Sequence, residues 1–564
     1  MSDVPFAAAH SDQTGSGPAE KTPGAAPVLV VGAGPVGMAA ALLLSRLGIP
    51  SRIVERRAAP QSAPAAHVVN ARTFEIFRAA GVDMQAIAAA CQDPADAGQV
   101  LWVTTLAGRE LGRLPYERQR DDALAYTPTP LRNLSQHRLE AILLDQLRGC
   151  ANIDIAYGHE WEHAEQDSAG VTSRTRDHAT GTVSEARTRW LIAADGAGSP
   201  VRKLLGIEPI GPDRLQSFVM IHFEANLRPL VGHRPAVLYW TTAPEAIGTF
   251  VAHDIDSTWV YMKPWDPETE SAADYSPAVC ADILRRAMGT DAYPFTIRTI
   301  RMWTMTAQVA ERYRERRVFL VGDAAHRFPP TGGLGLNTGV QDAHNLAWKL
   351  AAVEAGWAPD ALLDTYEVER RPVAQHNAGA SLQNAMRLGE VYQALATHDP
   401  TGDALRAAIA NQAEHFDMLG LQLGFVYESG AIAGDGKQKP TGGRSVREYV
   451  PTAVPGARVP HVWVTRAGIR VSTLDLFAYD RFTLVTGPAG QPWIQAVAGS
   501  APIDCVLIGR DVVDENGQWM NLLGIDADGA LLVRPDQHVG WRSRHAVADA
   551  SAALSRALAT ILSP

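Results

Sequence analysis

The sequence predicts an α/β protein of more than one domain that is built on a parallel sheet. Its 564 residues exceed the usual size of one domain. Residues 28–31 are a short apolar run of β-branched character, which is typical of a buried strand. A glycine-rich turn at 32–37, an Ala- and Leu-rich helix at 39–47 and a second strand at 52–55 follow. Strand, helix and strand in this order indicate a βαβ unit with parallel strands.

The rest of the chain predicts a discontinuous first domain and a separate second domain. Strands are expected at 215–225, 236–242 and 257–263, with no long helix between them. They predict an antiparallel sheet near 205–305 that forms a substrate-side lobe. A buried strand at 317–321, a helix at 336–353 and a mainly helical segment at 361–425 come next. We expect the first domain to span 28–430 and the second 444–564, joined by a loop at 430–443 that is rich in Gly, Lys and Thr.

Composition and charge exclude several classes of partner. The formal net charge of −10 argues against a nucleic-acid partner, since such binding needs a basic face. No run of about 18 apolar residues predicts a transmembrane helix, so no membrane partner is expected. Residues 1–27 are rich in Ala, Gly, Ser and Pro and lack the features of a signal peptide, so they predict a disordered tail.

The cysteines indicate neither a disulfide framework nor a metal site. There are four, far apart and without a CxxC or a Cys/His cluster: Cys91, Cys150, Cys280 and Cys505. This pattern fits a reducing, cytoplasmic location, and no metal is expected.

The first turn has the pattern of a dinucleotide-binding site. Gly32, Gly34 and Gly37 fit GxGxxG, follow a strand and open a helix, and Glu55 closes the next strand. The helix N-terminus offers free N–H groups to a pyrophosphate, and Glu55 can accept hydrogen bonds from ribose hydroxyls. The residues assigned to this cofactor site are Gly32, Gly34, Pro35, Val36, Gly37, Glu55 and Arg56.

Two later segments favour FAD over a nicotinamide as the bound dinucleotide. Asp195 follows a buried strand in an Asp-Gly turn, and Asp323 follows another, where it could bond ribityl hydroxyls. Gly333 and Gly335, with Gly332, would let a flat ring lie against bare backbone. The helix from Leu336 would direct its N-terminus at one edge of that ring, which suits the edge of a flavin that becomes negative on reduction.

These segments together closely resemble the FAD-dependent aromatic hydroxylases, which have the p-hydroxybenzoate hydroxylase fold. The resemblance rests on GAGPVG, the DG segment and GDAAHRFPPTGGLGLNTGVQDAHNLAWKL, and it spans about 28–373. It implies that Gln136 and Asp195 contact the cofactor and that Asp323 binds its ribityl chain. It also implies that the Pro330 carbonyl faces the reacting edge of the flavin. The resemblance further implies that the backbone of Leu336 and Asn337 contacts the pyrimidine end of the flavin ring.

One position departs from the pattern of the family. Relatives carry Arg or Lys near the pyrophosphate where this chain has Ala65. His67 and Arg72 are the nearby side chains that could compensate, and looser binding of FAD is the alternative.

The resemblance implies an FAD-dependent monooxygenase that hydroxylates a small aromatic substrate, phenolic or polyketide-like. NADH or NADPH would reduce FAD, and O2 would react through a flavin C4a-hydroperoxide. Baeyer–Villiger or other oxidative tailoring on the same scaffold is an alternative. A flavin-bound protein that holds its substrate without turnover is another. The sequence leaves the choice of reductant open, and it leaves monomer and homodimer open.

Three residues are candidates for a role at the reacting centre. Pro330 is implied by the resemblance, whereas His222 and Tyr239 lie on the predicted substrate-side sheet and could each hold a phenolic oxygen. The alternative for both is a structural role in the sheet. His253 and Trp303 are weaker candidates of the same kind. His326 lies in the segment after Asp323 that is implied to face the flavin, but its side chain is expected to point away.

The second domain resembles the thioredoxin-like domain of the phenol and polyketide hydroxylase branch. Segments 455–461 and 532–542 carry this resemblance. The domain lacks CxxC, so a thiol redox role is disfavoured and packing or dimerisation is expected. The GPAG segment at 487–490 predicts a hairpin turn rather than a phosphate-binding loop.

Overall fold

The computed structural model of the chain describes residues 26–397, 399, 401–435, 445–497 and 502–563. Nearly all of the predicted disordered tail, and the predicted domain-joining loop from residue 436 onward, lie outside these residues. Within the described ranges, none of the helices combines the length and the apolar character needed to cross a bilayer. Strands and helices are numbered along the chain.

A six-stranded sheet forms the centre of the first domain, as the βαβ unit predicts. Its order is β19-β20-β11-β1-β2-β7, and all neighbours are parallel except β19 and β20. The strands are β1 (Val28–Val31), β2 (Ser51–Glu55), β7 (Ile153–Tyr157), β11 (Trp190–Ala193), β19 (Arg314–Glu315) and β20 (Val318–Leu320). Helices α1 (Pro35–Arg46), α5 (Gln136–Arg148) and α9 (Leu334–Glu354) pack together beside it. Strands β1, β11 and β20 are fully buried, which explains their continuous apolar sequences.

The substrate-side sheet has seven strands in the order β17-β13-β16-β15-β14-β4-β5. They are β4 (Gln99–Val103), β5 (Glu110–Pro115), β13 (Gln216–Glu224), β14 (Leu238–Thr241), β15 (Gly248–Asp254), β16 (Thr258–Trp265) and β17 (Thr296–Met305). The sheet is antiparallel as predicted, except that β14 pairs with β4 in parallel. Because β4 precedes the expected segment by about a hundred residues, adjacency in the sequence gave no signal for this pair. One face packs on α8 (Pro277–Met288).

Smaller sheets and helices complete the first domain. The paired strands are β3 (Val68–Val69) with β6 (Arg132–Asn133), β8 (His159–Gln166) with β9 (Val171–Asp177) and β10 (Val183–Thr188), and β18 (Gln308–Ala310) with β12 (Pro209–Ile210) and β21 (His326–Arg327). The helices are α2 (Ala71–Ala79), α3 (Met84–Ala90), α4 (Pro94–Ala97), α6 (Pro200–Leu204), α7 (Arg228–Val231), α10 (Thr365–Ala396), α11 (Asp403–Ala410) and α12 (Leu419–Leu423).

The second domain contains a hairpin and a four-stranded sheet in the order β25-β24-β26-β27. Its strands are β22 (Trp463–Arg466), β23 (Ile469–Ser472), β24 (Phe482–Thr486), β25 (Ile503–Leu507), β26 (Ala530–Val533) and β27 (Val539–Ser543), and its helices are α13 (Gln491–Ala496), α14 (Gln518–Leu523) and α15 (Ala550–Leu562). The hairpin turn predicted at 487–490 is wrong, because α13 begins directly after it and β24 and β25 are parallel. The thioredoxin-like assignment stays a prediction. Burial raises the pKa of the Cys505 thiol, which disfavours a thiolate there.

Buried charges join the two domains. Glu75 on α2 accepts hydrogen bonds from Arg72 on the same helix and from Arg458 of the second domain, at 3.0 and 2.8 Å. All three side chains are almost completely buried. Burial would raise the pKa of Glu75, but the two guanidinium groups lower it to about 2. The carboxylate is therefore charged at neutral pH and holds two cations at the interface.

This carboxylate makes the stability of the protein sensitive to acid. Because the folded-state pKa of Glu75 lies below its ordinary value of 4.5, its contribution is present above that pH and is lost as the pH falls toward about 2. We expect a contribution of roughly 3 kcal/mol at pH 7. Thermal unfolding of the parent and of Glu75→Gln between pH 7 and pH 2 measures it. The variant should start less stable and lose less on acidification, and equal acid sensitivity of the two proteins would contradict this assignment.

Candidate functional site

The glycines of the first turn have three different environments. Gly32 has a φ of +104°, and a Cβ there would stand 2.3 Å from the Ala194 carbonyl oxygen. A Cβ at Gly37 would stand 2.0 Å from the Gly32 oxygen. At Gly34, in contrast, no described atom lies within 4 Å of the Cβ position. Gly32 and Gly37 thus allow close packing. Gly34 leaves open space in front of α1, whose first residues are Pro35 and Val36.

Glu55 ends β2 beside this turn. Its carboxylate accepts hydrogen bonds from the backbone N–H of Ala33 at 2.8 Å and from Nε of Arg57 at 3.0 Å. Burial alone would raise the pKa of Glu55, but these donors lower it, so the group stays ionised. The side chain of Arg56 is exposed, and it is Arg57 that holds the carboxylate. Alternation along the strand could have indicated this, because residues 55 and 57 point to the same side.

Gln136 and Ala65 lie at the N-terminus of α5. The Gln136 backbone N–H donates to the Ala66 oxygen at 2.7 Å, and its side chain donates to Glu140 at 2.8 Å. Ala65 is exposed. The expectation that Arg72 compensates for Ala65 is wrong, because the Arg72 side chain is 1% exposed and bonded within the domain interface. His67 is bonded to Asn133 at 3.0 Å.

The two aspartates follow β11 and β20, which are neighbours in the six-stranded sheet. Asp195 accepts from the Val201 backbone N–H at 3.1 Å through Oδ2, whereas its buried Oδ1 has no partner among the described residues. The Asp323 side chain is exposed, although the protein around it raises its pKa. Gly335 lies beside it, with its Cβ position 3.9 Å from Oδ1 of Asp323. Arg202 ties the two segments together by donating to the oxygens of Ala324 and Ala197, at 2.9 and 3.1 Å.

Asn337 fastens the segment 328–337, called the flavin loop below, to β3 and α2. Its Oδ1 accepts from the Asn70 N–H at 2.9 Å and from the Thr73 hydroxyl at 2.7 Å. Its Nδ2 donates to the oxygens of Val68 and Gly333, at 3.0 and 2.6 Å. Because the amide is fully used, Asn337 can serve a ligand only through its backbone, as can the buried apolar Leu336.

The remaining supports of the flavin loop lie behind it. The Pro330 carbonyl accepts from the Gly333 N–H at 3.0 Å and keeps a second lone pair, so its predicted role at the flavin stays a prediction. Nε2 of His326 donates to Asp342 at 2.6 Å, and Arg370 donates to the same carboxylate at 2.9 Å. The His326 and Asp342 side chains are completely buried, so the imidazole is directed at α9 behind the flavin loop.

The seven-stranded sheet separates His222 from Tyr239. Directly opposed residues share one face, and Tyr239 aligns through β15 and β16 with Ile221, the neighbour of His222. Tyr239 therefore points into the core beside α8. Its hydroxyl accepts from the Ala236 N–H at 2.9 Å and donates to the Arg234 oxygen at 3.1 Å. The structure does not bring Tyr239 together with His222, and the hydroxyl has a structural role.

The face that bears His222, called the cleft face below, turns toward the flavin loop. Val68 packs with Val100 and Trp102 of this face, and on its other side it fills the space above Gly333. His253 lies on the same face and bonds the Ser135 hydroxyl at 2.7 Å. Trp303 stacks on Phe218 with ring centroids 5.0 Å apart, so it lines the face as an aromatic surface.

Comparisons with known proteins agree on one family. The family model of the FAD binding domain matches residues 25–381. The family model of the C-terminal part of aromatic-ring hydroxylases matches residues 452–564. A putative polyketide hydroxylase of Streptomyces halstedii is 37% identical over 95% of this chain and 97% of its own length. The 2,4-dichlorophenol 6-monooxygenase of Delftia acidovorans is 35% identical, with 95% and 98% covered. The chain belongs to the FAD-dependent aromatic hydroxylases.

A solved structure shares the fold over almost the whole chain. The flavin-dependent monooxygenase PieE, in complex with FAD and substrate, superposes with a TM-score of 0.89 at 35% identity, covering 95% of this chain and 99% of that one. The protein is therefore an FAD-dependent monooxygenase with NADH or NADPH as reductant. Its own residues fit FAD: the space at Gly34 is open, Oδ1 of Asp195 is buried without a partner among the described residues, and the Asp323 side chain is exposed.

Gly34 provides a direct test of the pyrophosphate position in this hydroxylase. Its φ of −77° suits alanine, so Gly34→Ala should fold, but the methyl group would occupy space that the cofactor needs. We expect FAD to bind about tenfold more weakly, or worse, which corresponds to ~1.4 kcal/mol. Fluorescence titration of the apoprotein with FAD measures this.

Gly379→Ala is the matched control for Gly34→Ala. Gly379 is exposed within α10 and also has no described atom within 4 Å of its Cβ position. This substitution should leave FAD affinity unchanged and raise stability by up to about 1 kcal/mol. Equal FAD affinity in the two variants would remove Gly34 from the proposed site.

Proposed function

We propose that this hydroxylase inserts oxygen from O2 into a phenolic or polyketide-like aromatic ring that lies between the flavin loop and the cleft face. His222 holds the phenolic oxygen in this proposal. The observation that carries it is that Nδ1 of His222 is buried on the cleft face and has no partner among the described residues.

Other polar atoms of the cleft face support a ligand at this position. Thr299 lies directly opposite His222 on β17, and Trp240 lies on β14 on the same face. The Thr299 hydroxyl and Trp240 Nε1 are also buried without a described partner. Since buried polar atoms are nearly always hydrogen-bonded, a substrate or water that bonds them is the simplest explanation.

The chemistry of His222 suits a phenol. Burial lowers its pKa below the ordinary value of 6.5, so the imidazole is neutral at pH 7 and can accept a proton. Taking the proton of a phenolic hydroxyl raises the electron density of the ring, which favours attack by an electrophilic oxygen. FAD reduced by NADH or NADPH supplies the electrons and the activated oxygen when it is bound.

The names of the relatives support this substrate class. One is a putative polyketide hydroxylase and another a dichlorophenol monooxygenase, so both kinds of ring occur among proteins of similar length and sequence. The aromatic stack of Phe218 and Trp303 supplies a flat apolar surface for such a ring. A homodimer and a cytoplasmic location stay predictions.

His222→Asn should remove the group that accepts the phenolic proton during ring hydroxylation. Because the neutral imidazole is the active form, kcat/KM of the parent should fall as the pH falls through the lowered pKa of His222, below 6.5. In the variant we expect roughly a hundredfold lower kcat and no acid limb from this group. Steady-state rates of product formation between pH 5 and 9, with a phenol that stimulates NAD(P)H oxidation, measure kcat and the pH dependence of kcat/KM.

Tyr239→Phe is the control for a change on the same sheet. It removes the hydroxyl on the opposite face, so stability should fall by about 1–3 kcal/mol while the pH profile stays that of the parent. An unchanged profile in His222→Asn would reject His222 as the acceptor. Lactone or ester products would favour Baeyer–Villiger chemistry, and bound FAD without substrate-stimulated oxidation of NAD(P)H would favour a substrate-holding protein.

A further inference from the structure

The loop 534–538 between β26 and β27 inserts into the first domain. Gln537 accepts from Nη1 of Arg72 at 2.7 Å, and the Asp536 backbone oxygen accepts from Nη2 of the same guanidinium at 2.8 Å. Arg72 lies on α2, and all these groups are almost completely buried. The second domain therefore bonds α2 both through this loop and through Arg458.

The same loop bonds α9 and α10. Arg534 donates to both carboxylate oxygens of Glu369 at 2.7 and 2.8 Å, and it also pairs with Asp536. Glu369 in turn accepts from Lys349 and Asn345 of α9, at 2.8 and 2.6 Å. The four charged side chains are at most 2% exposed. One short loop thus holds three helices of the first domain.

Two of these helices build the flavin site. Asn70 caps the N-terminus of α2, and its backbone N–H and the Thr73 hydroxyl in the first turn of the helix both donate to Oδ1 of Asn337. Helix α9 carries Asn337 itself and ends the flavin loop. A change in the spacing between α2 and α9 would therefore move the backbone of the flavin loop, whose residues would hold the flavin ring.

We propose that the loop 534–538 is a positioning element for FAD, which sets α2 against α9 and thereby fixes the flavin loop without touching the cofactor. Gln537 and Arg72 are positioning residues in this sense. The geometry favours this over simple adhesion between domains, because each guanidinium donates in fixed directions to named acceptors on both sides. Apolar packing would bury the same surface at no desolvation cost, but it would fix the position of α2 relative to α9 less strictly.

The experiment compares FAD binding in variants of this contact. Arg72→Lys keeps the charge near Glu75 but loses the fork that reaches Gln537 and Asp536, and Gln537→Ala removes one acceptor. We expect both variants to bind FAD about tenfold more weakly, with a shifted visible spectrum of the bound flavin, since small displacements at such sites have large effects. Gln537→Glu keeps an acceptor oxygen for Arg72 but loses the donor from Nε2 to the Leu474 oxygen at 3.2 Å, so its FAD affinity and spectrum should lie closer to those of the parent than the values for Gln537→Ala. Titration of each apoprotein with FAD needs no substrate, so its outcome is separate from the test of His222.

Arg542→Lys is the matched control. Arg542 forms a largely buried ion pair with Asp435, at 3.1 Å from Nε, and it bonds neither α2 nor α9 in the described structure. The substitution Arg542→Lys should lower the thermal unfolding midpoint and leave FAD affinity and the flavin spectrum unchanged. If Arg72→Lys and Gln537→Ala also change only the midpoint, the loop merely stabilises the protein and the proposal is overturned. Should Arg72→Lys fail to fold, Gln537→Ala and Gln537→Glu decide alone.

Discussion

The side-chain amide of Asn337 holds together the segments that form the flavin site. It uses all four of its hydrogen bonds within the protein: two accepted from the start of α2, one donated to β3 and one donated to Gly333. The flavin loop, the β3 strand and α2 therefore cannot shift independently. Since Val68 of β3 also packs against the cleft face, this one amide links the flavin loop to the cleft face.

Buried charge surrounds this arrangement on the side away from the cleft. Asp342 accepts from His326 and Arg370 directly behind the flavin loop, while Glu75 and Glu369 bond cations of the second domain. Each carboxylate has lost water, and each regains hydrogen bonds from donors on two separate segments of the chain. These hydrogen bonds fix the flavin loop and its neighbouring helices from behind, which suits a cofactor that must be held precisely for oxygen transfer.

The sequence predicted the cofactor half of the site better than the substrate half. The local motif GxGxxG predicts Gly32, Gly34 and Gly37, because the backbone geometry of a single turn requires glycine at these positions. Tyr239 and His222 could not be separated in the same way, since the face that each occupies depends on a register across four strands. Arg57 was missed although the alternation at the end of β2 indicates it. The interface role of Arg72 depends on a loop more than 460 residues later, which no local pattern reveals.

The fate of molecular oxygen tests the central claim most directly. FAD-loaded protein is incubated with a phenol that stimulates NAD(P)H oxidation under 18O2, and the product is analysed by mass spectrometry. We expect a ring-hydroxylated product that carries one labelled oxygen atom. Consumption of NAD(P)H with an unchanged phenol and labelled hydrogen peroxide alone, across a panel of phenols and polycyclic aromatics, would contradict it.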